Sequence, residues 1–291
     1  MAEDIRIQLQ DIYKDVTEED IRQSKNYVLR RERAAQTLSS LIDDLLADAA
    51  EKLTLIAYRY GIDPEKFRIA SSYNEKMFDE MSDVLDSLED EILDMTVSYA
   101  TRCTDDDDDR NLLMLWVLAL GKDNKGLRET LDTRLWMFSR DVEAMIAATK
   151  AAGLSVTAAV QRIKSFLHAV YTMPEMKRLF GDAQKYAATY IRSRGVKYGN
   201  VGSSNSEANN ILRFSRTTVQ MGWMHYRQET FEDQGAVGYM CFRGSSFPCS
   251  LCDEICGIVH PIDGPMVLPR HPNCACYAVP IFIKDIQESL I

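Results

Sequence analysis

The stretch from Cys241 to Pro280 constrains this chain more than any other. It holds six of the seven cysteines, two of the four histidines and six of the eight prolines. Prolines at 248, 261, 265, 269, 272 and 280 remove backbone donors and fix φ, so no long helix can run through it. Val237, Tyr239 and Cys241 alternate at its start, and Tyr277, Val279, Ile281 and Ile283 alternate at its end, as short strands require. Val267 marks a third short extended piece between them. Flat, proline-rich strands of this length bury little apolar area, so a small sheet here needs another source of stability.

The cysteines and histidines are that source. Cys249-Ser-Leu-Cys252 is a C-x2-C pair on a tight turn, and His271-Pro-Asn-Cys274 returns a second pair after an 18-residue span. Two thiolates and an imidazole aimed at one point suit a tetrahedral Zn2+ ion, and Cys249, Cys252, His271 and Cys274 form one complete ligand set. Cys256, His260 and Cys276 are alternates, and Cys241 reaches the same place from the preceding strand. A pair made of Cys256 and His260 is the rival for the second half of the set. A closed set of four is a structural zinc site, because a catalytic one keeps an open position and a nearby general base. Pro248-Cys249-Ser-Leu-Cys252 matches half of the nucleobase-deaminase signature, but no H-x-E precedes it. No G-x-S-x-G, phosphate-binding loop or dinucleotide fingerprint occurs in the chain, so it is not expected to be an enzyme.

The residues before this stretch read as helices. Thr17 followed by Glu18, Glu19 and Asp20 is a helix start, with a capping hydroxyl and acidic side chains in the positive first turn. Leu38, Leu41, Ile42, Leu45, Leu46, Ala49, Leu53 and Ile56 then keep helical spacing up to the stop at Gly61-Ile-Asp-Pro64. Met77, Met81, Leu85, Leu88, Ile92, Met95 and Tyr99 form a second stripe. Asp105 to Asp109 lack the alternation and the glycine of a calcium loop, so they predict a solvated lead-in to the next helix. Cys103, alone at a helix end, is a small packed side chain. Further helices are predicted over 112–120 and 127–152, with Trp116 and Trp136 in the core, and after Ser155 as a cap. Residues 195–210, rich in Gly, Ser and Asn, read as a loop before another helix from Ile211 to Phe231. His168 and His225 fall on helices and have no functional context there. The expected fold is therefore mainly α, a long-helix region over 1–152 followed by a small α+β domain over 153–291 that carries the Cys/His cluster at 241–276.

Charge divides the chain as well. The net charge is −10, yet residues 151–250 carry +6 and the first 150 carry −13. Nucleic acid is not expected around the acidic part, whereas the basic segment from 162 to 243 can meet phosphate or an acidic protein surface. Arg192, Arg194, Lys197, Arg213 and Arg216 are its contact candidates, and a nucleic-acid-binding zinc module is the alternative functional reading. The first residues, MAEDIRIQLQ, have neither the basic nor the apolar region of a signal peptide, and no apolar run approaches 18 residues. A cytosolic origin without a membrane segment is expected, where clustered cysteines are metal ligands more often than disulfides.

Phe247-Pro-Cys249-Ser-Leu-Cys252, Gly257 and Leu268-Pro-Arg-His271-Pro-Asn-Cys274-Ala-Cys276, with Pro280 beyond, together resemble the phage Mu F-like minor head proteins of the phage head morphogenesis family. Arg216-Thr217 is similar to an Arg-Thr pair that the family places on an upstream helix. The resemblance covers roughly 153–283. Two positions depart from it: Cys256 stands where the family has Asp, and Ala275 replaces an Arg between the last two cysteines. The resemblance implies a virion component of the head, near the portal, assembled in the bacterial cytoplasm in a few copies per particle. It implies the portal protein and capsid or scaffold subunits as partners, with packaged DNA as a further contact, and a role in head morphogenesis, DNA packaging or delivery. The Leu and Met stripes of the helical region would dock on those partners.

Overall fold

A computed structural model describes residues 16–69, 74–121, 125–168 and 206–282. Among the described residues, six helices precede a small sheet: α1 (Glu18–Arg59), α2 (Glu75–Ala100), α3 (Asp107–Ala119), α4 (Leu127–Ala151), α5 (Val156–Phe166) and α6 (Glu207–Asp233). Strands β1 (Ala236–Phe242), β2 (Val259–Pro261) and β3 (Tyr277–Phe282) follow, with the single-turn helix α7 (Ser250–Asp253) between β1 and β2. The mainly helical fold with a small C-terminal sheet agrees with the sequence reading. Its compact units are interleaved, however. Among the described residues, one comprises 16–38, 96–117 and 215–282, and the other 39–69, 74–95, 118–121, 125–168 and 206–214.

Local chemistry sets the helix ends. Thr17 Oγ1 accepts from the Asp20 amide at 3.1 Å while the Asp20 carboxylate accepts from the Thr17 amide at 3.3 Å, a reciprocal cap. At the other end of α1, Gly61 adopts φ +65 and the Ile62 amide reaches back to the Ala57 carbonyl. Asp106 Oδ1 accepts from the amides of Asp108 and Asp109 and starts α3, so the aspartate run is the exposed cap of a helix, as its sequence predicts. Ser155 caps α5 through the Ala158 amide. Ser206 caps α6 through the Asn209 amide, so 207–210 are helical and not the loop that their composition suggested.

The second unit has a helical core. α4 is buried on every side from Asp141 through Thr149 and on one face from Leu127 through Ser139. Its apolar residues pack, and its two central acids act as anchors. Glu143 accepts from the Ile69 amide at 2.8 Å and pairs with Arg140, while Asp141 accepts from the Glu207 amide. Burial pushes the Glu143 carboxyl up in pKa. Ile42, Leu46, Leu53, Met77, Met81, Leu88 and Ile92 are all buried, so much of the two stripes packs inside the protein, while Leu41 stays 40% exposed and Leu45, Leu85 and Met95 part-buried. Trp136 does not join this core; it is 56% exposed. Its position on α4 points away from the buried face, which a tryptophan count cannot reveal.

The first unit is layered around the sheet, whose order is β2-β1-β3, all antiparallel. Tyr239 and Cys241 face a cluster with Met224 and Phe231 of α6, whereas Tyr277 and Val279 face Val28 of α1. β1 is therefore covered on both faces. A Cβ on Gly238 would stand 2.6 Å from the His260 carbonyl, so only glycine lets β2 approach this closely. The third strand is Val259–Pro261 and not the piece around Val267. Pro265 and Pro269 cannot donate to a ladder, and the Val267 amide donates instead to the Tyr239 hydroxyl at 3.1 Å. Ile283 lies outside the described residues.

Candidate metal centre

The ligand candidates are delivered by two turns of unlike construction. Cys249 precedes α7, and its carbonyl accepts from the amides of Cys252 and Asp253, both at 3.0 Å. That turn brings Cys249 and Cys252 to the same side. The second turn is His271-Pro-Asn-Cys274, closed by the Cys274 amide on the His271 carbonyl at 3.1 Å. Asn273 has φ +64. Proline at the second position and a left-handed residue at the third are what a type II turn asks for, and Asn is the residue other than Gly that tolerates it. The H-P-N-C string is thus a backbone prescription as much as a ligand set.

The side chains converge in two groups. Ligand atoms of Cys249, Cys252 and His271 lie within 4.8 Å of one another, and so do those of Cys252, Cys274 and Cys276. Cys252 belongs to both. Its sulfur is 3.1 Å from His271 Nε2 and 3.9 Å from Cys274 Sγ. A tetrahedral ion with metal–sulfur bonds of about 2.3 Å separates its sulfur ligands by about 3.8 Å, so the Cys252–Cys274 spacing suits one, and the His271 ring needs to draw back by only a few tenths of an ångström. His271 Nδ1 is 2.8 Å from the Pro272 carbonyl, which can only accept. The proton therefore sits on Nδ1, and the Nε2 lone pair points at the thiols, as a metal-ligating histidine needs. This Cys/His cluster can hold a metal ion.

Electrostatics show what an ion would relieve. Burial, and next the neighbouring Cys274, push the Cys252 thiol up to about 12. Contact with Cys276 and burial raise Cys274, and burial raises Cys241 and Cys256. Thiolates would crowd one another here, so the thiols hold their protons, and a bound cation reverses that by stabilising the deprotonated form.

Of the four ligands expected from the sequence, three meet in one group. Cys274 instead meets Cys252 from the far side, beside Cys276. Cys256 adjoins the Cys276 thiol without joining either group. His260 turns away: its Nε2 contacts the Ile255 carbonyl at 3.1 Å and its ring stacks on Tyr239. Cys241 lies on β1 in the same buried cluster.

Sequence reasoning missed two arginines that hold the centre. Arg31 is fully buried on α1, donates from Nη2 to the Cys274 carbonyl at 2.6 Å and pairs with Glu32 at 3.0 Å. Glu32 in turn accepts from Gln220 and faces Arg216 at 3.5 Å. Arg243 donates to the carbonyls of Cys249 and Phe247 and pairs with Asp253 at 2.6 Å, bracing the turn before α7. Nothing local to Arg31 signals this role, since its target lies 243 residues onward.

The basic candidates fare differently. Arg192, Arg194 and Lys197 lie outside the described residues, Arg213 is half-buried on α6, and Arg216 is committed to the Glu32 network. Among the histidines on the helices, His225 stacks on Trp116 with ring centroids 4.0 Å apart, which leaves Trp116 part-buried, and His168 pairs with Asp43 at 2.7 Å. Cys103 follows α2, half-buried, its sulfur on the Ala100 carbonyl. No described helix is long and apolar enough to cross a membrane. Compared with protein-family models, curated proteins and solved structures, the chain finds no match in any of the three.

Proposed function

We propose that this chain is a structural and assembly protein of a tailed-phage head, a minor head protein of the Mu F-like kind, in which a zinc ion clamps the C-terminal sheet. The observation that carries the reading is a coincidence of motif and geometry. The residues by which the chain resembles that family include Cys249, Cys252 and His271, whose side chains converge, and Cys274 and Cys276, which meet Cys252 beside them, with His271-Pro-Asn-Cys274 as a turn that aims two of them. Sulfur and imidazole donors at tetrahedral spacing favour Zn2+ over harder cations. The ion supplies cross-linking, and the protein residues do the rest: two turns aim the ligands, the Pro272 carbonyl fixes the His271 tautomer, and Arg31 and Arg243 hold the ligand backbones.

Partner contact falls on surface that the core leaves free. The Leu and Met stripes are largely buried, and α3 presents Leu112, 69% exposed, and Leu115, 62% exposed, one turn apart. Co-expression of the full chain with the portal protein of the same phage, followed by affinity capture on the portal, tests the reading. Co-purification that weakens in the Leu112→Glu/Leu115→Glu variant is expected. Failure of the unsubstituted chain to co-purify with portal or with assembling heads overturns it.

A further inference from the structure

The cluster holds more ligands than one tetrahedral ion can use, and they are not arranged around one point. Cys249, Cys252 and His271 form one tripod; Cys252, Cys274 and Cys276 form another. The shared sulfur of Cys252 stands 3.9 Å from that of Cys274. Three of the second tripod's members, Cys252, Cys274 and Cys276, are buried. A fourth thiol, Cys256, adjoins Cys276 at its outer side.

We propose that the centre binds two metal ions bridged by thiolates. Cys252 and Cys274 are the bridging pair, Cys249 and His271 complete the first ion, and Cys276 with Cys256 completes the second, Cys256 being brought in by side-chain rotation. Two bridges and four terminal ligands give each ion four donors, the count that zinc prefers. Charge supports the arrangement. A single ion on Cys249, Cys252, Cys274 and His271 leaves a net charge of about −1, and a second divalent ion with the thiolates of Cys256 and Cys276 leaves the same. Burying the extra pair of sulfurs as ligands therefore adds no net charge to the interior. It also accounts for Cys256, the thiol that stands where the resembled family has a carboxylate. Proton release balances binding: each thiol that becomes a ligand gives its proton to solvent.

This inference rests on the zinc reading above, and the experiment separates the two. The full chain, kept reduced and loaded with excess Zn2+, is analysed by native mass spectrometry for ions per chain. Two ions are expected, falling to one in Cys256→Ser/Cys276→Ser. Cadmium-113 NMR of the Cd2+-loaded chain should show two resonances in the thiolate-rich range, a readout that stands if the double variant fails to fold. One ion in the unsubstituted chain overturns the two-ion centre and leaves the single zinc intact. No bound ion overturns both.

Discussion

The helical unit and the sheet-bearing unit solve the same problem by different means. In the first of these, the helical one, α4 is surrounded on all sides from Asp141 to Thr149, and apolar side chains such as Phe138, Val142 and Ile146 are fully buried. Even its buried acids serve packing, by accepting backbone amides that would otherwise be left without partners. In the second, three strands of three to seven residues must stay flat and paired among prolines. Their apolar faces are covered by α1 and α6, but the loops between strands bury thiols and carbonyls where a larger domain would bury leucines. On the zinc reading proposed above, ligands, caps and an arginine do there what side-chain volume does elsewhere. Stability drawn from packing is spread over many residues; stability drawn from coordination is concentrated in a few, and lost at once when the ion goes.

That contrast makes predictions of decreasing size. Phe138→Ala should remove about 3–5 kcal/mol from the helical unit, the cost of a large cavity, while zinc content stays at the unsubstituted value. Thermal unfolding and metal analysis on the same sample check it, and loss of zinc would break the separation. Arg31→Met should cost about 2–3 kcal/mol, because Glu32 and the Cys274 carbonyl lose a buried donor. It should also weaken zinc about tenfold, as expected when a group that orients a ligand is removed, measured by competition with a chromophoric chelator. Asn273→Val places a β-branched residue at φ +64 and should cost about 1–2 kcal/mol, with Asn273→Gly at the unsubstituted level in the same denaturant titration. Equal effects of Val and Gly there would mean that turn geometry does not set the ligand positions.

Much of this was legible in the residues, and what was not has physical causes. Helices announce themselves locally: Thr17, Ser155 and the Gly61 stop carry their own hydrogen-bonding logic, and the stripes on α1 and α2 needed no knowledge of partners. β1 and β3 were visible by alternation. β2 was not, because Val259–Pro261 is a strand only by virtue of Gly238 opposite it, and Val267 looked like one until the Tyr239 hydroxyl took its amide. Trp136 shows the limit of counting aromatics, since helix position and not residue type decides its exposure. The ligand types and turns of the metal centre could be read from spacing. Its division into two tripods could not, because Cys274 approaches Cys252 from across the fold, and Arg31 reaches it from a helix near the other end of the chain.

The central claim is that coordination, more than packing, holds the sheet. Hydrogen exchange by mass spectrometry, on the full zinc-loaded chain and on the same chain after chelation, tests it most directly. Peptides covering β1, α7, β2 and β3 should lose protection by several orders of magnitude on chelation, in keeping with a structural ion worth about 10 kcal/mol or more. Peptides from α4 should keep theirs. Unchanged protection across residues 236–282 after complete removal of the metal would contradict the account.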